Sequence, residues 1–309
     1  MKNIKDVNIL VVGDIMLDVY ISGNVERISP EAPVPVVNIE KQYHTLGGCG
    51  NVIKNLTNIG ANVTCVAKIG RDDNGTIISE ELVKCGAKSQ LVVSPLTPTT
   101  TKTRIVTSDR GIQLIRLDSE NTIEFSQDVV LLLHQLKLLK DDFDIIIVSD
   151  YAKGVINELL MNELRSRNTK IVVDPKRVKT NLYDNVFIVT PNEKEFNAMF
   201  SDGYNYERME YIIKTMGPKG MEVIDVKAEH TTTIRSKAVD VYNVSGAGDT
   251  VVATISAAVA MGFDVVEAAA IANMCAGYVV TKPGTTSVPI STFESAIWKV
   301  KHHNIVKGE

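Results

Sequence analysis

The stretch Asn243-Val244-Ser245-Gly246-Ala247-Gly248-Asp249-Thr250, followed by the apolar run Val251 to Met261, decides the reading of this chain. Small and glycine residues open a tight turn, and an alanine-rich apolar segment takes over at once as a helix. Such a helix start presents backbone N–H groups without intrahelical partners and the positive end of the helix dipole. It is an anion hole. Asp249 inside it would repel a phosphate if binding were the whole task. It makes sense if the site must also take a proton from an attacking hydroxyl. The stretch therefore suggests phosphoryl transfer from a nucleotide to an alcohol, with Asp249 as base and the backbone of Gly246, Ala247 and Gly248 holding developing charge. The alternative is a plain helix start, in which Gly-Ala-Gly permits the turn and Asp249 favours the dipole.

Outward from this stretch, short apolar runs alternate with helical patterns. Strands are expected over 7–12, 63–69, 144–148, 170–173, 186–190, 211–215 and 221–226, and helices over 50–59, 75–85, 127–139, 156–166, 192–199, 249–261 and 265–280. Buried strands alternating with helices predict an α/β fold, a mostly parallel sheet with helices on both faces. Two β-rich segments, Asp18–Ile39 and Thr99–Leu117, break the rhythm. They could pair as a small separate sheet lying over the site as a lid, or stand as ordinary surface hairpins. A lid with an uncovered apolar face would need a partner, which makes a homodimer through it the expected assembly. The linkers are short, so one domain over residues 1–309 is expected. Phe200–Arg208 is polar and reads as a surface excursion.

Composition narrows the function classes. The chain has 309 residues, 44% hydrophobic and 23% charged, with a formal net charge of −4. An acidic balance argues against a nucleic-acid partner, and a phosphate site in such a protein must gather its cations locally. The widely spaced Cys49, Cys65, Cys85 and Cys275 form neither a zinc pattern nor a disulfide framework, which points to a reducing cytoplasm. The first apolar run is short and ends at Gly13-Asp14, unlike a signal peptide, and no run is long enough to suggest a membrane partner.

Gly47-Gly48-Cys49-Gly50-Asn51 opens another helix, where glycines let backbone approach a ligand and Asn51 offers donor and acceptor to hydroxyls. Asp18 stands just past the first strand, at the end where open α/β sheets bind ligands, although one aspartate there could equally close a turn. With these two glycine motifs at its two ends, the chain resembles the ribokinase-like, PfkB-type carbohydrate kinases over nearly its whole length. Thr190-Pro191-Asn192-Glu193-Lys194-Glu195 is similar to the family's Asn-x-x-Glu element, and Thr215-Met216-Gly217-Pro218-Lys219-Gly220 to its nucleotide-side turn. Gly13–Asp18, Arg27–Val36, Gln113–Asp118, Ser149–Gly154 and Asp174–Lys176 resemble the branch of that family acting on D-glycero-β-D-manno-heptose 7-phosphate at O1, on the route to ADP-heptose and the lipopolysaccharide core. Some members of that branch carry a nucleotidyltransferase domain after the kinase. This sequence ends at Glu309, and none is expected here.

The resemblance implies a doubly wound α/β fold with a β-sheet lid, ATP and Mg²⁺ as cofactors, and a small sugar phosphate as substrate. It implies that Asp18, Gly48 and Asn51 read sugar hydroxyls. Lys102, Arg104, Arg116 and Lys153 are candidates for the distal phosphate, because ammonium and guanidinium groups bind phosphate well; two of the four are expected to serve. On the nucleotide side it implies Thr215, Gly217, Gly220, Ala272, Asn273 and Ala276, a loop from Thr285 to Val288 beside the adenine, and Asn192 and Glu195 near Mg²⁺ through water. The family usually has aspartate where Asn243 stands, beside a monovalent cation. Asn243 keeps an oxygen ligand but loses a charge, so only weak K⁺ activation is expected. Cys49 stands where alanine is commoner, and Phe200–Arg208 is shorter than the family pattern, as if a peripheral helix were missing. The alternative within the family is another PfkB-type sugar or nucleoside kinase, acting on ribose or a fructose phosphate, and two rivals belong to other classes. An NAD-dependent oxidoreductase lacks its G-x-G-x-x-G after the first strand, and a sugar-phosphate sensor would have no need of Asp249.

Overall fold

The computed structural model describes residues 1–177, 181–201, 208–236, 241–282 and 284–302. Most of Phe200–Arg208 lies outside these residues. Two sheets organise the molecule. Among the described residues the large one has nine strands in the order β13-β12-β11-β10-β9-β8-β1-β4-β5. They are β1 (Asn8–Gly13), β4 (Asn62–Gly70), β5 (Lys88–Ser94), β8 (Ile145–Ser149), β9 (Ile171–Asp174), β10 (Ile188–Val189), β11 (Tyr211–Thr215), β12 (Met221–Asp225) and β13 (His230–Ile234). Every pairing from β11 through β5 is parallel, and only β12 and β13 are added antiparallel.

The strand period of two divides the core. Ile9 and Val11 of β1 face one hydrophobic layer, with Val63, Cys65, Ile145 and Ile147. Leu10 and Val12 face the other, with Val66, Ile146 and Val148. A strand buried on both faces reads as an unbroken apolar run, which is why Ile9–Val12 shows no alternation. The first layer is closed by α1 (Cys49–Asn58), α2 (Asp73–Lys84), α6 (Ala247–Met261), α7 (Val265–Val279) and α8 (Ile290–His302). The second is closed by α3 (Ser126–Leu138), α4 (Glu158–Arg165) and α5 (Glu193–Phe200). The expected doubly wound α/β arrangement is present.

The β-rich segments form a second sheet of four strands, β3-β2-β6-β7. These are β2 (Ile15–Ile28), β3 (Pro35–Gly48), β6 (Thr101–Thr107) and β7 (Gln113–Ser119). The expected boundary at Ile39 was too early, because β3 runs on to Gly48 and delivers the glycine pair straight into α1. Exposed residues from Glu40 to His44 hide that continuation in the sequence. Three elements, β5, β13 and α8, were not anticipated. Among the described residues, no helix is long and apolar enough to cross a membrane.

Candidate active site

The site is built where α1 and α6 begin. Gly246 precedes α6 at φ +80°, and a Cβ there would lie 2.6 Å from Asn51 Nδ2 and 2.8 Å from Thr285 Cγ2. Only glycine allows that close approach. No side chain caps this helix start. The Thr250 N–H donates to Gly246 O at 3.0 Å, and the Ala247 N–H turns back to Val244 O at 3.3 Å. Gly248 has no positive φ, and a Cβ added there would meet nothing within 4 Å. The chain's own packing therefore does not require glycine at 248, and the open space in front of it suits a ligand that comes close to the backbone.

Asp249, 6% exposed, stands in the first turn of α6. Its Oδ1 accepts from the Tyr151 hydroxyl at 2.8 Å and its Oδ2 from Asn51 Nδ2 at 2.8 Å. Burial pushes its carboxyl up to about 6, the two donors pull it down, and the charge of Asp18 raises it again. The side-chain oxygen of Asn51 is buried with no hydrogen-bond partner among the described residues, a standing acceptor at the cavity. One turn along α1, Asn55 ties the assembly together. Its amide nitrogen donates to Asn51 O, and its oxygen accepts from the Val288 N–H at 3.0 Å and the Thr250 hydroxyl at 3.4 Å.

A cavity of about 400 Å³ opens on Asp249. Asn51 and Gly246 line it together with Met16, Asp18, Gly48, Lys102 and Arg104 of the small sheet. Asp18 and Arg104 are paired at 2.6 Å, so the hydroxyl candidate and the phosphate candidate hold each other. Desolvation opposes the charge on Arg104, but the pairing wins and raises its pKa above the usual value. Of the four basic candidates, Lys102 and Arg104 reach the cavity. Arg116 stands opposite Arg104 on β7 and forks onto Asp118 at 2.9 Å on both oxygens. Lys153 pairs with Glu120 at 2.8 Å. Neither of these two lines the cavity.

A second cleft, of about 700 Å³, lies on the other side of the α6 start. Thr215, Gly217, Gly220, Asn273, Ala276, Ala247 and Gly248 line it. Ala272 does not. It is 0% exposed and packs in the core, because its place in the turn of α7 aims it at the sheet. Thr285 also differs from expectation. It lines the cavity on Asp249 rather than the second cleft, and Val288 is buried in the core.

Asn192 and Glu195 form a complete capping box at the start of α5: Asn192 accepts from the Glu195 N–H at 2.9 Å and Glu195 from the Asn192 N–H at 3.0 Å. Glu195 also pairs with Lys176 at 2.9 Å. Asp174, at the end of β9, is held well above the usual carboxylate range by burial, then by the charges of Asp249 and Glu195. Among the described residues no cluster of three or more His, Cys, Asp or Glu could cage a metal. These oxygens suit an ion that keeps its waters and binds mainly through phosphates, as Mg²⁺ does. The Asn243 side-chain oxygen is taken by the Ser245 N–H at 2.8 Å. Sequence reasoning gave no place at the site to Tyr151, Asn55 or Asp174, and put Thr285 beside the adenine. Asp174 carried the same signal as Asp18, an aspartate at the carboxyl end of a strand.

Comparison with known proteins agrees with this geometry. The profile for the pfkB family carbohydrate kinases matches residues 6–292. The chain is 35% identical to the bifunctional protein HldE of Pelobacter propionicus over 96% of its own length and 64% of that protein. It is 37% identical to the same-named protein of Vibrio vulnificus over 94% of its length and 63% of the relative. The chain thus spans under two thirds of the length of these relatives. Among solved structures, phosphofructokinase-2 from Escherichia coli in complex with potassium superimposes with a TM-score of 0.78 at 16% identity, covering 96% of this chain and all of that one. A carbohydrate kinase from Agrobacterium tumefaciens gives 0.72 at 19% identity, covering 94% and 97%. By profile, relatives and fold, the chain belongs to the pfkB family of carbohydrate kinases.

Proposed function

We propose that this chain transfers the γ-phosphoryl group of ATP to the anomeric oxygen of a sugar that already carries a distal phosphate, and that the sugar is D-glycero-β-D-manno-heptose 7-phosphate, on the route to ADP-heptose. The observation that carries the reading is Asp249, buried, with a carboxyl near 6, clamped on both oxygens at the mouth of an uncapped helix. A base poised near working pH is what proton removal from a sugar hydroxyl needs. On this reading the sugar lies between Asn51, Gly48 and Asp18, and its distal phosphate meets Lys102 and Arg104. The nucleotide lies in the cleft along Gly217, Gly220, Asn273 and Ala276. The anomeric hydroxyl gives its proton to Asp249 while its oxygen forms the new bond to phosphorus and ADP departs. The Gly248 N–H and the α6 dipole hold charge on the transferred group. Mg²⁺ when bound neutralises phosphate charge, with Asn192, Glu195 and Asp174 on its side of the site.

The exposed apolar residues Ile115 and Leu117 on β7 support assembly of two copies through the small sheet. The test is a panel of acceptors under ATP: heptose 7-phosphate, fructose 6-phosphate, ribose and free heptose, with the product located by ³¹P NMR. A bisphosphate with its new phosphate on O1 is expected. Equal kcat/KM for a neutral sugar would replace the phosphosugar reading, and no ADP release above background with any acceptor would remove the kinase reading.

A further inference from the structure

We propose that Tyr151 is the positioning residue of the base: its phenol keeps the Asp249 carboxylate oriented and ionised at neutral pH, and Asp14 holds Tyr151 in place to do so. The inference rests on the reading of Asp249 as base and adds a group that neither glycine motif contains.

The geometry is a clamp with one donor for each carboxylate oxygen. Asn51 comes from α1 and donates to Oδ2; Tyr151 comes from the loop after β8 and donates to Oδ1, both at 2.8 Å. Each carboxylate oxygen can accept twice, so one site on each oxygen stays free for the substrate proton. Burial and Asp249's own charge push the Tyr151 phenol well above its usual range. It is therefore a permanent donor and never a competing base. The other charged groups that share the cavity pull in different directions. Asp18 from β2 raises the carboxyl, but its partner Arg104 from β6 offsets that charge, and Lys102 lines the same wall. Asp174 at the end of β9 and Cys49 at the start of α1 are close enough to feel the Asp249 charge. Against this background the two hydrogen bonds are what offsets burial.

The loop that carries Tyr151 is fixed from behind. Asp14 Oδ2 accepts from the N–H groups of Tyr151 at 2.8 Å and Lys153 at 3.0 Å, and Oδ1 from that of Val155 at 3.1 Å. Asp150 accepts from the Ala152 N–H at 2.7 Å. Ala152 itself stands at φ +57°, a left-handed conformation that a non-glycine residue keeps only when its surroundings over-determine it. The segments Gly13-Asp14 and Ser149–Gly154 thus act together, one presenting a carboxylate to the backbone of the other.

The experiment is Tyr151→Phe, which keeps the ring and removes the donor. Two readouts are taken on the full chain: kcat/KM for the acceptor against pH, and the ¹³C carboxyl titration of Asp249, assigned by its loss in Asp249→Asn. A hydrogen bond to a charged group at the lower end of the usual range corresponds to about one pKa unit. The acid limb and the carboxyl titration should both move up by about one unit, with activity down about fivefold near pH 6 and much less above pH 8. A carboxyl titration that stays in place overturns the inference, as does a loss of activity that is equal at every pH. If no acceptor is phosphorylated by the unaltered chain, the kinase reading fails while the NMR titration still decides the role of Tyr151.

Discussion

Asp249 is held in a state that costs stability. Its folded carboxyl lies near 6, above the unfolded value of about 3.8. A carboxylate raised on folding contributes stability below its unfolded pKa, and that contribution is lost as pH rises through the folded one. Asp249→Asn should therefore be more stable than the original chain at pH 7–8, by on the order of 2 kcal/mol, with the difference vanishing toward pH 4. An asparagine there can still accept from Tyr151, and Asn51 can turn its unpartnered oxygen toward the new amide. Turnover should fall on the order of 10²–10⁴-fold while ATP affinity holds or tightens. Thermal melts at pH 4 and 8 beside steady-state rates measure both; near-normal kcat would remove Asp249 from the mechanism. At Asn243, a neutral oxygen already engaged by the Ser245 N–H offers a monovalent cation little attraction. Exchanging KCl for NaCl at constant ionic strength should change the rate by under twofold, and a large saturable K⁺ effect would show that other oxygens suffice. The place of Asp249 at a helix start was legible in the sequence, because Gly-Ala-Gly ahead of a long apolar run marks one. The place of Tyr151 was not, because its hydrogen bond to Asp249 spans 98 residues, and no local pattern encodes that.

The glycines of the α6 start separate two demands on one element. At Gly246 the backbone is left-handed and the neighbours leave no room, so Gly246→Ala meets strain and a collision with the donor of the base. It should lose both thermal stability and kcat. At Gly248 the backbone is helical and the space is open. Gly248→Ala should keep or raise the melting temperature, since alanine is the better helix former by about 1 kcal/mol, and yet raise KM for ATP severalfold by filling the approach of a phosphate. Unchanged ATP kinetics in a stable Gly248→Ala would mean that nothing binds in front of it. The same contrast explains how far elements could be read in advance. The buried parallel strands and their helices were legible because apolar runs and helical periods are local. The strand β5 was missed because Lys88–Ser94 mixes polar with apolar residues at the sheet's edge. The end of β3 was missed because its exposed stretch looks like loop. The Asn192–Glu195 spacing is ambiguous in principle: it is both a family motif and a capping box, and one spacing serves both.

At the scale of the molecule, the cavity lies where strands of the small sheet meet the starts of α1 and α6. Helix α6, packed on the large sheet, carries Asp249; the small sheet carries Lys102 and Arg104. Cross-strand register places Asp18 opposite Lys102, and Arg104 opposite Arg116, on neighbouring strands. Two guanidiniums directly opposite repel. Here each is offset by a carboxylate, Asp18 for one and Asp118 for the other. A phosphate reaching Lys102 and Arg104 would relieve the same repulsion, in a chain whose net charge is −4. This is the reason to expect a phosphorylated acceptor. Arg104→Ala should raise KM for the phosphosugar on the order of tenfold or more, since charge-assisted bonds are about twice as strong as neutral ones, and leave KM for ATP within about twofold. Because Asp18 loses its partner in that variant, some of the loss would follow for any sugar. The comparison that isolates the phosphate is therefore the ratio of kcat/KM for heptose 7-phosphate to that for free heptose, which should collapse in Arg104→Ala. Arg104→Lys should restore it only partly, because an ammonium lacks the bidentate fork. A ratio that stays the same in both variants would place the distal phosphate elsewhere, and the cations of the small sheet would then serve only to hold Asp18.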